Sequence, residues 1–194
     1  MAPLTLVFGY GSLVSPASAA QTFGREVQAS SPVRLPGWRR RWSTFRDNHT
    51  AEKTFARAEG GELPRYCLGL NLEQVDGEPG VNGVLLELTE AELDRLDLRE
   101  MRYRRTDVSG QISGDVGPGA QVIAYTAKPR HHAPSPPPGS VIIAGYVRTV
   151  EAAFAELAPD QLEVFRATTD PPPVEQIEGV LVRDRIPEGN PRDW

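Results

Sequence analysis

Cysteine is almost absent from this chain, whose 194 residues contain only Cys67. A single thiol excludes an internal disulfide framework and any zinc site built from several thiolates. Histidine is scarce too. His49, His131 and His132 do not show the spacing of metal ligands, and the last two lie in a proline-rich segment that is typical of a solvated loop. We therefore expect no metal ion.

Long apolar runs and an excess of positive charge are also lacking. No stretch approaches the roughly 18 apolar residues of a membrane span. The first residues, MAPLTLVFGYG, lack the charged and long apolar regions of a signal peptide. The net charge of −5 is unlike that of a general nucleic-acid-binding protein, which needs a basic surface. The sequence therefore predicts a cytoplasmic protein with neither a membrane nor a nucleic acid as partner. Binding of a small anionic ligand is not excluded by the net charge, and no feature predicts an oligomeric state.

The pattern that is present consists of many short strands and a few helices. Apolar residues in continuous or alternating runs predict strands at positions 4–8, 31–45 (two pieces around a bend), 65–75, 81–89, 102–112, 120–128 and 179–182. The turn DGEPG predicts a hairpin between 65–75 and 81–89. Helices are predicted over 15–24, 90–100 and 159–169 and from Ser140 onward, and Thr89 with Glu92 forms a capping box for the second. Mostly sequential strands favour an α+β domain with a largely antiparallel, barrel-like sheet.

The first predicted strand ends in an unusual turn, Gly9-Tyr10-Gly11-Ser12. Gly9 and Gly11 permit positive φ angles and let a ligand approach the backbone closely. Successive N–H groups in such a turn form a concavity that binds anions. The alternative is a tight strand exit with an exposed serine. The turn matches neither the GxxxxGK[ST] phosphate loop nor GxGxxG, so nucleotide binding is unsupported.

Glu100 lies on the apolar stripe of the predicted helix 90–100. Leu93, Leu96 and Glu100 are three and four residues apart and therefore share one face. Burial of a carboxylate on such a face raises its pKa, which suits a general base or acid. The alternative is an ordinary ion pair with Arg104 or Arg105 near the helix end.

Three further features have both a structural and a functional interpretation. Tyr146 lies in the apolar stripe of the helix predicted from Ser140, either as a core residue or as a hydroxyl that reaches a substrate. Cys67 lies in a predicted strand with no histidine close in sequence, which favours a buried core thiol over a nucleophile. The basic block GWRRRW, at 37–42, is interpreted as amphipathic cover for the sheet rather than as a contact for a substrate carboxylate.

Three segments together resemble the γ-glutamylcyclotransferase superfamily: VFGYGSL, GVLLELTEAELDRLDLRE and PSPPPGSVIIAGYVRTV. The superfamily includes the γ-glutamylcyclotransferases, the ChaC-type glutathione-degrading enzymes and the γ-glutamylamine cyclotransferases. The turn looks most like the ChaC form, and LPGWRRRW is similar to the segment that follows the turn there. The resemblance covers about Leu4 to Leu157. It therefore predicts a γ-glutamylcyclotransferase-like domain over 1–157 and a C-terminal extension, 158–194, packed on the same domain.

The resemblance implies a small mixed or antiparallel β-barrel flanked by a few helices, with a cavity at the end of the first strand. It implies an enzyme of the lyase or acyltransferase type that needs no cofactor and acts on a small γ-glutamyl amino acid or amine. Glu100 would take a proton from the substrate's α-ammonium group, and the freed amine would attack the γ-carbonyl to give 5-oxoproline. By position, the substrate contacts are Phe8, Gly9, Tyr10, Gly11, Ser12, Leu13, Tyr103 and Tyr146.

One departure from the superfamily pattern bears on the substrate. Tyr103 comes only three residues after Glu100, whereas members usually have glycine and several more residues at this point. The shorter connection makes glutathione a less expected substrate than other γ-glutamyl compounds. The alternative to an enzyme is a catalytically silent member that binds a small acidic metabolite or a protein partner. The presence of a glutamate at position 100 favours the enzyme.

Overall fold

The computed structural model describes residues 5–117 and 119–185, which form short strands and four helices. In chain order the strands are β1 (Thr5–Gly9), β2 (Val33–Leu35), β3 (Trp38–Asp47), β4 (Lys53–Arg57), β5 (Tyr66–Gln74), β6 (Val81–Leu88), β7 (Tyr103–Asp107), β8 (Gln121–Ala127), β9 (Ser140–Ile143), β10 (Gln176–Ile177) and β11 (Gly179–Asp184). The helices are α1 (Pro16–Phe23), α2 (Glu90–Arg99), α3 (Ala144–Leu157) and α4 (Gln161–Ala167). None of these helices has the length and apolar character that a membrane crossing requires.

β1 is the central strand of the largest sheet. This sheet has the strand order β2-β6-β1-β8-β7, and β1 runs antiparallel to β6 and parallel to β8. Because β1 is paired along both edges and covered on both faces, its sequence is continuously apolar rather than alternating. Val7 and Phe8 are 0% and 1% exposed. The turn that follows β1 therefore starts from the interior of the protein.

The remaining strands form two smaller sheets. Four of them pair in the order β10-β9-β5-β3, and β4 pairs antiparallel with β11 in a two-stranded β-ribbon. The predicted α+β class is confirmed. The predicted barrel is not, because over residues 5–117 and 119–185 the strands divide among three open sheets. β2 and β7 remain edge strands of the first sheet, and β3 and β10 remain edge strands of the second.

The hairpin predicted between 65–75 and 81–89 is wrong. β5 pairs with β3 and β9, whereas β6 pairs with β1 and β2 in the other sheet. The intervening chain pairs instead with the bend after β2. The Val75 N–H donates to the Gly37 carbonyl at 2.8 Å, and the Gly37 N–H donates to the Glu78 carbonyl at 3.1 Å. These bonds take the place of the hairpin turn and carry the chain from one sheet to the other.

The helix predicted from Ser140 begins four residues later, at Ala144. Residues 140–143 form β9, which lies between β5 and β10 and runs parallel to both. Val141, Ile142 and Ile143 are β-branched and stiff at χ1, which favours a strand over a helix. The remainder of the predicted helix is present as α3. Two short strands, β4 and β10, have no counterpart in the sequence prediction.

Helix α2 begins with the predicted capping box. The Thr89 hydroxyl accepts a hydrogen bond from the Glu92 N–H at 3.3 Å, and the Glu92 carboxylate accepts one from the Thr89 N–H at 2.9 Å. Leu93 and Leu96 are 1% and 0% exposed, so the predicted apolar face is the buried face. The helix ends at Arg99 and Glu100 is its C-cap residue. Glu100 therefore extends from a helix that is anchored at its start and along one side.

The described residues beyond Leu157 contact the rest of the chain at several places. Phe165 of α4 stacks on Phe154 of α3, with their ring centroids 4.7 Å apart. β10 pairs with β9, and β11 pairs with β4. The C-terminal segment thus adds one strand to the second sheet and supplies the second strand of the β-ribbon.

We expect Gly83→Ala to destabilise the protein. A Cβ at Gly83 would lie 2.3 Å from the Gly9 carbonyl oxygen and 2.7 Å from the Phe8 ring, so β1 and β6 would have to separate where the turn begins. Overpacking of this kind costs about 1–3 kcal/mol, which urea denaturation would show as a lower free energy of unfolding.

Gly117→Ala is the matched control, because a Cβ there meets no atom of residues 5–117 and 119–185 within 4 Å. It should change the free energy of unfolding by less than about 0.5 kcal/mol. A Gly83→Ala variant as stable as the Gly117→Ala variant would contradict the close approach of β1 and β6.

Candidate active site

The turn after β1 and the end of α2 meet at a small cavity of about 50 Å³. Its lining brings together every site residue that the sequence predicted, namely Phe8, Gly9, Tyr10, Gly11, Ser12, Leu13, Glu100, Tyr103 and Tyr146. Leu70 and Tyr125, which the sequence did not single out, complete the lining. Residues from β1, α2, β5, β7, β8 and α3 therefore converge on one place.

The turn itself is built without left-handed glycines. Neither Gly9 nor Gly11 has a positive φ, so the predicted use of that freedom is wrong; Gly11 has φ −138° and ψ −129°. What Gly11 provides is space, because a Cβ there would lie 3.4 Å from the Tyr146 hydroxyl and occupy room beside the cavity. Residues 12–14 then form a 3₁₀ turn. The N–H groups of Ser12 and Leu13 have no partner within that turn, since they are at its start.

Glu100 is the carboxylate of this cavity, and its side chain is 17% exposed. Its backbone N–H donates to the Leu96 carbonyl, and its own carbonyl accepts from the Tyr103 N–H, both at 2.7 Å. The short connection between Glu100 and Tyr103 is thus a tight turn that brings both side chains to the same cavity. Burial raises the pKa of Glu100, and the positive charges of Arg99 and Arg102 oppose that rise.

Arg99 is the residue that the sequence interpretation missed. Its Nε lies 3.3 Å from Glu100 Oε1, and its Nη2 donates to the hydroxyl oxygens of Ser12 and Ser18, each at 2.9 Å. It also donates to the Ser18 carbonyl and to the Thr22 hydroxyl. The signal for it was a basic residue in the last turn of α2, directly before the proposed base. The predicted alternative partners of Glu100 are not involved, because Arg105 pairs with Asp97 on α2 at 3.0 Å and Arg104 is exposed.

The serine of the turn is oriented by this contact. Because the Ser12 oxygen accepts a hydrogen bond from Arg99, its own O–H is directed to a different acceptor. Ser12 also lines the cavity. It is therefore suited to donate a hydrogen bond to a negatively charged or carbonyl oxygen there.

Tyr10, Tyr103 and Tyr146 form a tyrosine wall in the lining of this cavity. Tyr10 donates to the Tyr125 carbonyl at 2.6 Å, and Tyr103 donates to the Leu70 carbonyl at 2.7 Å. Burial raises the pKa of Tyr10, Tyr103 and Tyr146, and the negative charge of Glu100 raises each of these pKa values further. The wall therefore stays neutral, and Glu100 is the carboxylate that lines this cavity.

The basic block at 37–42 contacts the turn through Arg40, which does not line the small cavity. The Nε of Arg40 donates to the Tyr10 carbonyl at 2.8 Å, and its guanidinium lies 4.9 Å and 4.8 Å from the ring centroids of Phe154 and Phe165. Arg40 is 0% exposed, and burial lowers its pKa to about 9. The role of the block is structural, as the sequence favoured. It stabilises the turn through one buried arginine, Arg40, rather than by covering the sheet with all three arginines.

A larger cavity of about 430 Å³ adjoins the small one and shares Ser12, Glu100, Tyr103 and Tyr146 with it. Part of its lining comes from β3, β5 and the β-ribbon. Cys67 lines it but is 3% exposed, and burial raises the pKa of its thiol, which fits the core thiol that the sequence favoured. Across residues 5–117 and 119–185, no group of three or more histidine, cysteine or carboxylate side chains could hold a metal ion.

Solved structures share this fold. A γ-glutamyl cyclotransferase superposes with a TM-score of 0.60 at 14% identity, over 85% of this chain and 88% of that one. An uncharacterised protein from Homo sapiens gives 0.56 at 15% identity, over 86% and 88%. YkqA from Bacillus subtilis gives 0.53 at 18% identity, over 88% of this chain and 56% of that one. No family model and no curated protein sequence matches. At these identities the likeness confirms the resemblance at the level of the fold, which is γ-glutamyl cyclotransferase-like.

We expect the free energy of unfolding of Glu100→Gln, compared with that of wild type, to increase as the pH rises. Because burial raises the pKa of Glu100, the folded state holds this proton more tightly than the unfolded state, whose carboxyl titrates near about 4.3. The group's contribution to stability is therefore full below that pH and is lost as the pH rises through the folded-state pKa. Because glutamine does not ionise, the stability of the variant does not decrease in this way.

Urea denaturation between about pH 4 and pH 8 measures the difference, which should approach about 1.4 kcal/mol for each unit by which the pKa is raised. The Arg99 contact favours the ionised carboxylate, so its effect is already contained in the pKa of Glu100. Glu90→Gln, whose side chain is 76% exposed, is the control for loss of a carboxylate from the same helix. A stability difference between Glu100→Gln and wild type that is flat with pH would contradict a desolvated Glu100.

Proposed function

We propose that this chain is a γ-glutamylcyclotransferase-like enzyme. It converts a small γ-glutamyl amino acid or amine into 5-oxoproline and releases the amine partner. The observation that carries the proposal is the position of Glu100, a largely buried carboxylate with a raised pKa that shares a cavity with the Gly9–Ser12 turn. A catalytically silent protein has no need to keep a desolvated carboxylate at this place, since its burial costs stability.

The first step needs a base, because the α-ammonium group of the substrate has no lone pair. Glu100 takes a proton from it, and a raised pKa makes the carboxylate a stronger base than an ordinary one. The freed amine nitrogen attacks the γ-carbonyl carbon and forms the ring C–N bond. This attack is intramolecular, so holding the substrate in the folded-back conformation supplies much of the rate.

The second step breaks the original amide. The C–N bond to the amine partner cleaves while Glu100 passes protons from the attacking nitrogen to the departing one. Two protons in all leave the attacking nitrogen and two reach the departing nitrogen, which leaves as an ammonium ion. Glu100 ends as it began, and the reaction consumes no water.

The turn stabilises the charge that develops between these steps. Negative charge builds on the γ-carbonyl oxygen, and donors fixed in advance lower the energy of that state. We assign this role to the N–H groups of Ser12 and Leu13 and to the Ser12 hydroxyl, which Arg99 orients. The tyrosine wall of Tyr10, Tyr103 and Tyr146 keeps the reacting groups in a water-poor space without adding charge.

We expect Glu100→Gln to lower the rate of 5-oxoproline release by about 10²–10⁴-fold, because the amide has no proton-accepting carboxylate. The assay measures 5-oxoproline from a panel of γ-glutamyl amino acids, γ-glutamylamines and glutathione. Glu90→Gln removes an exposed carboxylate from the same helix and should keep wild-type activity. No release from any compound by wild type would exclude the enzyme, and full activity of Glu100→Gln would exclude Glu100 as the base.

We expect Arg99→Gln to move the acidic limb of the kcat/KM profile to higher pH. The positive charge of Arg99 lowers the pKa of Glu100, so removing it raises that pKa and delays ionisation of the base. Arg99→Lys keeps the charge while losing most of the hydrogen bonds, and its limb should stay near that of wild type. Rates measured from about pH 4 to pH 9 compare the variants. An acidic limb at the same pH in Arg99→Gln as in wild type would show that Arg99 does not influence the ionisation of the base.

A further inference from the structure

The larger cavity has more basic than acidic side chains, although the protein as a whole has a net charge of −5. Four cations and two carboxylates line it: Arg46, Lys53, Arg99 and Arg102 against Glu52 and Glu100. Most of these charges are compensated. Arg102 makes a two-point contact with Glu52 at 2.9 and 2.7 Å, and Arg99 lies against Glu100. Lys53 lies 3.7 Å from Asp184 of β11.

Arg46 is different from the other three. It donates to the Lys53 carbonyl at 2.8 Å, and its guanidinium lies 5.1 Å from the ring centroid of Phe55. Its remaining interaction is with the Cys67 side chain, and over residues 5–117 and 119–185 no carboxylate is within ion-pair distance of it. Burial lowers its pKa, and the nearby charge of Arg102 lowers it further. Arg46 is thus a cation on the cavity wall, held in place by backbone and ring contacts, with its charge uncompensated.

An uncompensated cation in a partly desolvated cavity is expensive, and an anion that enters the cavity removes this cost. The guanidinium fork suits a carboxylate in particular. The cavity also contains Glu100, at which the proposed reaction takes place. The ligand group that reaches Arg46 is therefore the part of the substrate beyond the scissile amide.

We propose that Arg46 is the residue that selects the amine partner, and that it selects partners bearing a carboxylate over neutral amines. This inference rests on the proposed function and narrows it to γ-glutamyl amino acids or short γ-glutamyl peptides. The γ-glutamyl group itself occupies the turn, and the carboxylate of the partner pairs with Arg46 in the larger cavity.

Two pairs of compounds test the inference, each differing only in a terminal carboxylate or carboxamide. They are γ-glutamylglycine with γ-glutamylglycinamide, and γ-glutamylglycylglycine with its amide, which has a longer reach. Wild type should cleave the acid of at least one pair with a kcat/KM about 10- to 100-fold above that of its amide. In Arg46→Gln that preference should fall to within about threefold, through a lower kcat/KM for the acid only.

Arg41→Gln is the matched control, since Arg41 lies on the same strand and pairs with Glu73 outside the cavity. It should keep the wild-type preference. Equal cleavage of acid and amide by wild type would overturn the inference while leaving the proposed function intact, and so would a preference that survives in Arg46→Gln. Should Arg46→Gln fail to fold, Arg46→Met replaces it, since it removes the charge and keeps an unbranched side chain: an acid-to-amide ratio within about threefold supports the inference, and an unchanged ratio overturns it.

Failure of the proposed function is recognised separately. If wild type releases 5-oxoproline from none of the four compounds, their binding to wild type and to Arg46→Gln is measured by calorimetry. Tighter binding of the acid than of its amide by wild type, lost in Arg46→Gln, supports the role of Arg46 even then. Equal affinity overturns it.

Discussion

One guanidinium links the parts of the site. Arg99 contacts the Glu100 carboxylate, the Ser12 hydroxyl and the start of α1, so the proposed base and the turn are held in one hydrogen-bonded unit. The same charge limits how far burial raises the pKa of Glu100. The two effects oppose each other, because desolvation favours the protonated carboxyl group and a nearby positive charge favours the carboxylate. The capping box and the buried leucines of α2 hold the helix end in place, and with it Arg99.

The turn is supported from its other side by Arg40. This arginine is enclosed by two phenylalanine rings and donates to the Tyr10 carbonyl, so the backbone of the turn is fixed by groups that never reach the cavity. One of those rings, Phe165, belongs to the segment after Leu157. The C-terminal segment therefore contributes to the geometry of the turn without lining the small cavity.

The sequence predicted the components of the site better than the connections between strands. β1, the turn and the capping box are local patterns, and the apolar stripe of α2 placed Glu100 on the buried face. Long-range pairing is what the sequence did not contain. The DGEPG turn has hairpin composition, yet Val75 bonds to Gly37 and the two strands join different sheets. Arg46 and Arg99 were not assigned from the sequence, because the cavity that Arg46 lines and the contacts of Arg99 with Ser12 and Ser18 exist only in the fold.

In the proposed reaction the substrate's own amine, and not water, cleaves the γ-glutamyl amide. Running the reaction of a γ-glutamyl amino acid in ¹⁸O-labelled water and analysing the products by mass spectrometry distinguishes the two nucleophiles. We expect 5-oxoproline without ¹⁸O, formed in equal amount to the released amine, since no water enters the reaction. Glutamate carrying ¹⁸O in its side-chain carboxylate would show hydrolysis and exclude attack by the amine.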